Sequence, residues 1–171
     1  MKINEIRKNL NDIDALYNAH PLPTNNAQQL YSKLATIELS SWVEFAMDEM
    51  VIAYWAKHST MMPKLYKEFK DEIVKKNHGF NYATNFRPML YKTIGLASVH
   101  KIESLYPADI DILETTLKTL SVARNDAAHK FFHAGMTLTM QSPSVTLSLF
   151  EQLHPILTKI RKQVLAVRKI R

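Results

Sequence analysis

The residue types best suited to chemistry lie within the stretch SVARNDAAHKFFHAG, residues 121–135. Arg124, Asn125 and His129 stand there among alanines, just before a glycine. A histidine can take the proton from a ribose 2′-hydroxyl, and the planar fork of an arginine can hold the phosphate oxygens as negative charge builds. Such a set would cleave RNA without a metal, would leave a 2′,3′-cyclic phosphate and a 5′-hydroxyl, and would spare DNA.

Helical spacing brings only two of these three side chains to one face. At about 100° per residue Asn125 and His129 lie together, whereas Arg124 is rotated from His129 by about 140°. If the helix packs against its own copy about a two-fold axis, two arginines and two histidines converge in one cleft. The small Ala127 and Ala128 would allow the backbones to approach. The spacing therefore favours a composite site in a homodimer.

The same residues also have an ordinary structural interpretation. Arg124 could form a surface ion pair, and Asn125 could hydrogen-bond to His129 along one helix face. Asp126 could pair with Lys130, four residues further on. Spacing alone leaves both interpretations open.

Metal and cofactor chemistry are disfavoured by the neighbouring residues. His129 and His133 are four residues apart and could bind a metal as a pair. However, the glutamate that follows the first histidine of a zinc-protease helix is Lys130 here, and no third ligand lies close in the sequence. The three glycines are isolated and form no phosphate-binding loop. We expect no metal and no cofactor.

Apolar residues recur at three- and four-residue spacing along most of the chain, which predicts amphipathic helices. A first helix ends before the two prolines of HPLPTNN, and a long second helix covers about 24–56. Its buried face is expected to hold Leu30, Leu34, Ile37, Trp42, Phe45 and Ile52.

The later helices follow the same pattern. They are expected to begin near Thr60, Asn85, Asp109 and either Ser142 or Ser144. Gly79 suits a left-handed stop, the helix from Asn85 should continue to Tyr106, and RNDAAH falls in the C-terminal half of the helix that Asp109 opens. We predict an all-α bundle of five or six helices, with one domain over 1–171 and an N-terminal helical extension at 1–20.

Composition indicates which kind of binding partner and which cellular compartment to expect. The chain has 171 residues, a formal net charge of +6 and no cysteine, so disulfides and thiolate chemistry are excluded and an anionic partner is favoured. The basic C-terminal segment could complement a helix dipole or bind phosphates, and both interpretations stay open. The first residues are not typical of a signal peptide, and the longest apolar run, 50–56, is too short to span a bilayer. We expect a soluble, cytoplasmic protein.

The motif RNDAAH in a late helix of a helical bundle resembles the Arg-x4–6-His motif of the HEPN superfamily, closest to the RiboL-PSP type. The resemblance covers about Thr24 to Val164. ATIELSSWVEFAMDEM is similar to the first core helix and LKTLSVARNDAAH to the motif helix.

The resemblance implies a functional dimer and a metal-independent endoribonuclease, with toxin–antitoxin and phage-defence systems as settings. Arg124 and His129 match the defining positions, Asn125 matches the polar residue after the arginine, and Glu38 corresponds to an acidic residue that supports the site. RNA, a second copy of the chain and an antitoxin or regulatory protein are the implied partners, and no membrane is. Phe131 stands where some toxins carry the tyrosine that a partner enzyme modifies.

Two hypotheses of different class follow. The first is a HEPN-type endoribonuclease, and the second is a non-catalytic HEPN module that binds RNA or a protein. A purely structural bundle is a third possibility. Trp42, Trp55 and the pair Met61 and Met62 are expected to pack in the core or an interface rather than to stack on bases.

Overall fold

The computed structural model describes residues 1–19, 26–58, 63–129 and 140–167. Every regular element in these ranges is helical, which confirms the all-α prediction. The helices are α1 (Ile3–Asn18), α2 (Asn26–His58), α3 (Pro63–Phe69), α4 (Arg87–Ile94), α5 (Leu96–Leu105), α6 (Pro107–His129) and α7 (Pro143–Ala166). A π-helical turn continues α3 over Lys70–Val74, and another leads into α4 over Tyr82–Phe86.

The described residues form seven helices rather than five or six because Gly95 divides the expected helix between Asn85 and Tyr106. Gly95 has φ +84° and ψ 151°, a conformation that is essentially restricted to glycine. Its amide still donates to the carbonyl of Tyr91 at 3.0 Å and closes α4, and α5 starts at the next residue.

The long helix α2 forms the centre of the bundle and packs against α1, α6 and α7. Leu10 of α1, Leu39 of α2, Leu117 of α6 and Leu157 of α7 are all fully buried in one continuous core. Trp42 is 6% exposed and meets Phe150 edge to face, with 5.1 Å between the ring centroids, so its expected packing role is confirmed. The core of all four helices therefore holds α2 and α6 in fixed relative positions.

The buried face expected for α2 is wrong at three positions. Leu30, Leu34 and Phe45 are 52%, 43% and 45% exposed. The helices around α2 cover a broad arc that includes Leu39 and Trp42, and the three exposed side chains lie outside that arc. Apolar periodicity could not separate the two sides because both carry apolar residues.

Candidate functional site

The C-terminal half of α6 carries the predicted site residues. Leu117 and Leu120 bury the preceding turns against the core, whereas Arg124, Asn125 and His129 are exposed. Ala127 is only 1% exposed because it packs within its own chain. The expectation that Ala127 would face a second copy is therefore wrong. Ala128 is the small residue that remains at the surface.

Arg124 and Asn125 open into a cleft of about 510 Å³, which we call the Arg124 cleft. Arg124 Nη1 donates to Asn125 Oδ1 at 3.4 Å, so these two predicted residues are brought together. The polar residues that line the cleft are Glu44 and Asp48 of α2, Lys75, Asn77, His78 and Asn85 of the segment between α3 and α4, and Ser121, Arg124 and Asn125 of α6.

The α2 wall of the cleft carries two carboxylates one helical turn apart. Asp48 is half-buried, and burial raises its pKa from the ordinary 3.8 to about 6, with the negative charge of Glu44 adding to the increase. A carboxyl whose pKa is raised by burial, in a cleft that an arginine also lines, is a feature associated with functional sites. Asp48 can therefore carry or release a proton near neutral pH.

The opposite wall is a short segment stiffened by its own side chains. Asn85 Nδ2 donates to the carbonyl of His78 at 2.9 Å, and Asn77 Nδ2 donates to the carbonyl of Gly79 at 3.5 Å. Gly79 has the positive φ expected of it, +109°, but it does not end the helix, because the last helical residue is Val74 and the cap is Lys75 in a right-handed conformation. These contacts fix the backbone of the segment at the cleft, and the side chain of His78 is exposed.

His129 does not line the Arg124 cleft, although it is the last residue of α6 and is exposed. Its position, seven residues after Val122, places it within about 20° of that side chain on the helix. Val122 is 61% exposed. Within one chain, the histidine that lines the cleft with Arg124 is His78.

Glu38 is also outside the cleft. It precedes Asp48 by ten residues on α2, which corresponds to about 15 Å along the axis and a rotation of about 80°. Its side chain is half-buried and does not line the cleft that Glu44 and Asp48 line. Glu38 could thus take part at the Arg124 site only if it reached the cleft of another copy of the chain.

Sequence reasoning missed Asp48, Glu44 and His78. The signal that could have found the two acids is their spacing, since like charges one turn apart on a helix are unfavourable and occur here inside the apolar stretch SSWVEFAMDEM. His78 carried no such signal. It lies between elements, where a histidine is ordinarily interpreted as solvated or capping.

The remaining sequence features have mixed outcomes. Lys159 of the basic C-terminal segment forms a 2.7 Å ion pair with Asp109 and joins α7 to α6. His133, Lys130 and Phe131 lie outside the described residues, as do the last three basic residues of the chain.

The described part of the chain contains no group of three acidic or histidine side chains arranged to hold a metal ion. Nor does any helix within it have both the length and the apolar character needed to cross a membrane.

Comparison with family models, with curated proteins and with solved structures gives no match for this chain.

Proposed function

We propose that this chain is a metal-independent endoribonuclease of HEPN type that works as a two-fold dimer in the cytoplasm. Arg124 holds the scissile phosphate, His129 transfers the proton of the 2′-hydroxyl, and Asn125 orients the substrate or the imidazole. The 2′-oxygen attacks phosphorus and the 5′-oxygen leaves, giving a 2′,3′-cyclic phosphate and a 5′-hydroxyl end. A toxin–antitoxin or phage-defence setting, with an antitoxin or regulatory protein as partner, belongs to the same proposal.

The observation that carries the proposal is the Arg124 cleft itself. Arg124 donates to the side-chain amide of Asn125 rather than to a carboxylate, and the two open into a space of about 510 Å³, whose volume suits one nucleotide. A structural arginine at this position would be expected to pair with a carboxylate, as Arg87 does with Glu103 at 2.6 Å. A guanidinium held at the mouth of a polar cleft is instead suited to binding a phosphate bidentately.

The position of His129 supports the dimer. Because His129 does not line the Arg124 cleft of its own chain, we infer that it acts on a phosphate held by Arg124 across an interface. Val122 shares its helix face and is 61% exposed, so a second copy docking there would bury apolar surface next to the imidazole. Glu38, outside the cleft of its own chain, would support the site in the same way.

One observation favours a second candidate, a non-catalytic HEPN module that binds RNA or a protein partner. Arg124 and His129 do not meet within one chain, and a cleft with a phosphate-binding arginine needs no histidine in order to bind. The net charge of +6 would then supply most of the affinity for RNA, which would fall steeply with salt.

The experiment is incubation of labelled RNA with purified protein in EDTA. We expect cleavage by the wild type with cyclic-phosphate ends, and rates lower by about 100-fold or more for Arg124→Ala and His129→Ala. The matched controls are Lys101→Ala and His100→Ala, which remove a cation and an imidazole from exposed positions on α5 and should leave the rate unchanged. Salt-sensitive binding without cleavage, unaffected by His129→Ala, would favour the binding module.

A further inference from the structure

Besides His129 of the motif helix, the α2 wall of the Arg124 cleft offers a second titratable group that the proposed reaction can use. Cleavage through the 2′-oxygen moves two protons: one leaves the 2′-hydroxyl, and one must reach the 5′-oxygen as its bond to phosphorus breaks. Arg124 cannot give the second proton because a guanidinium does not ionise in this range. A single imidazole that has accepted the first proton would have to travel to the other side of the phosphorus to deliver it.

Asp48 meets the geometric requirement for the second transfer. It projects from α2 into the same cleft that Arg124 and Asn125 enter from α6, so a phosphate held by the arginine has the carboxyl on an adjoining wall. Its half-buried position limits access of water, which would otherwise compete for the proton.

We propose that Asp48 is the general acid that protonates the departing 5′-oxygen, an inference that rests on the ribonuclease function proposed above. An imidazole takes the proton from the 2′-hydroxyl, and the 2′-oxygen forms its bond to phosphorus. The bond from phosphorus to the 5′-oxygen breaks, and the electron pair of that oxygen takes the proton of the Asp48 carboxyl. Asp48 is left as a carboxylate and regains a proton from solvent, and the imidazolium loses its proton to solvent, before the next turnover.

Asp48 shares the cleft with charged or titratable groups from three elements, of which Glu44 is the one whose charge shifts its pKa. Glu44 lies one turn away on α2, Lys75 and His78 belong to the segment between α3 and α4, and Arg124 enters from α6. Burial and Glu44 together favour the protonated carboxyl and raise its pKa to about 6. A protein carboxyl tuned upward by an apolar surround and a second acid is a known way to keep a proton donor near neutral pH.

The test uses a substrate whose leaving group needs no acid. In RNA with a 5′-bridging sulfur at the cleavage site, the leaving thiolate departs without protonation because thiols are far more acidic than alcohols. We expect Asp48→Asn to be slower than wild type by about 100-fold on ordinary RNA and within a few-fold of it on the sulfur substrate. Arg124→Ala should be slow on both, since it acts on the non-bridging oxygens.

A pH profile gives a second readout that a merely structural role would not change. With ordinary RNA, kcat/KM of the wild type should fall as pH rises above about 6, where Asp48 loses its proton, and this decline should be absent in Asp48→Asn. Glu44→Gln should move the decline to lower pH, because removing that charge lowers the pKa of Asp48.

The outcomes separate the two proposals. Equal impairment of Asp48→Asn on both substrates, or no impairment on ordinary RNA, would overturn the role of Asp48 while leaving the ribonuclease intact. A wild type that cleaves neither substrate would overturn the ribonuclease, and the role of Asp48 with it.

Discussion

Replacing Asp48 by asparagine should stabilise the protein, although it removes a residue of the candidate site. The pKa of Asp48 is raised from 3.8 to about 6 in the folded chain, so folding favours the protonated carboxyl and the ionised form is unfavourable. An acid whose pKa is raised by folding lowers the free energy of unfolding as pH rises from about 4 to about 6, and the full penalty remains at higher pH. Asparagine, of nearly the same shape, carries no such penalty.

The magnitude follows from the size of the pKa increase. An increase of about two pKa units corresponds to at most about 3 kcal/mol. Asp48 is only half-buried, so solvent screens its charge, and we expect Asp48→Asn to be more stable than wild type by about 1 kcal/mol at pH 7.5. At pH 4.5 the carboxyl is largely protonated in the folded chain, and the difference should fall to less than half of that value.

Urea unfolding followed by circular dichroism at pH 4.5 and 7.5, at constant ionic strength, measures the difference. Asp12→Asn is the matched control, because Asp12 is an exposed carboxylate on α1 that pairs with Lys8 at 2.6 Å and lies outside the cleft. Its effect should stay within about 0.5 kcal/mol. An Asp48→Asn protein that is no more stable than wild type at pH 7.5, or equally more stable at both pH values, would refute the reasoning.

Three further changes test the fold and the proposed interface. Trp42→Ala should lower the free energy of unfolding by about 3–5 kcal/mol, and a double-mutant cycle with Phe150→Ala should give a coupling of about 0.5–1.5 kcal/mol for the edge-to-face contact, measured by urea unfolding. Gly95→Ala should cost about 1–3 kcal/mol in the same assay, because no side chain lies near enough to clash and the positive φ alone opposes alanine. Val122→Asp should convert the proposed dimer to monomer in sedimentation velocity, because it places a charge in the proposed interface. The control Leu96→Asp, at a 60% exposed position on α5, should leave the protein dimeric. A dimer that persists in the Val122→Asp variant would argue against the interface.

The helical architecture could be predicted because it is encoded locally. Long α2 and α7 follow from apolar residues at three- and four-residue spacing and from Pro143 at the start of α7. The break between α4 and α5 was missed, since a single glycine within an apolar pattern is often tolerated in a helix and only its backbone angles show that it ends one.

The cleft could be predicted only in part because its walls come from distant parts of the chain. Arg124 and Asn125 are adjacent in sequence, so a motif finds both. Asp48 and His78 reach the same space through the packing of α2 against α6 and the course of the segment after α3, which no local pattern specifies. The outward direction of Leu34 on α2 was missed for the same reason, since burial depends on which neighbours cover a helix.

The most direct test of the central claim, that Arg124 of one copy works with His129 of the other, is to mix the two inactive variants. Each protein, Arg124→Ala and His129→Ala, should be inactive alone under conditions in which the wild type cleaves RNA in EDTA. When they are mixed at equal amounts and allowed to exchange subunits, about half of the dimers contain one copy of each, and each of these holds one intact arginine–histidine pair across the axis. The wild-type dimer holds two such pairs, so if the pairs act independently we predict recovery of about one quarter of the wild-type rate. A mixture as inactive as its components, with subunit exchange verified, would contradict a site shared between two chains.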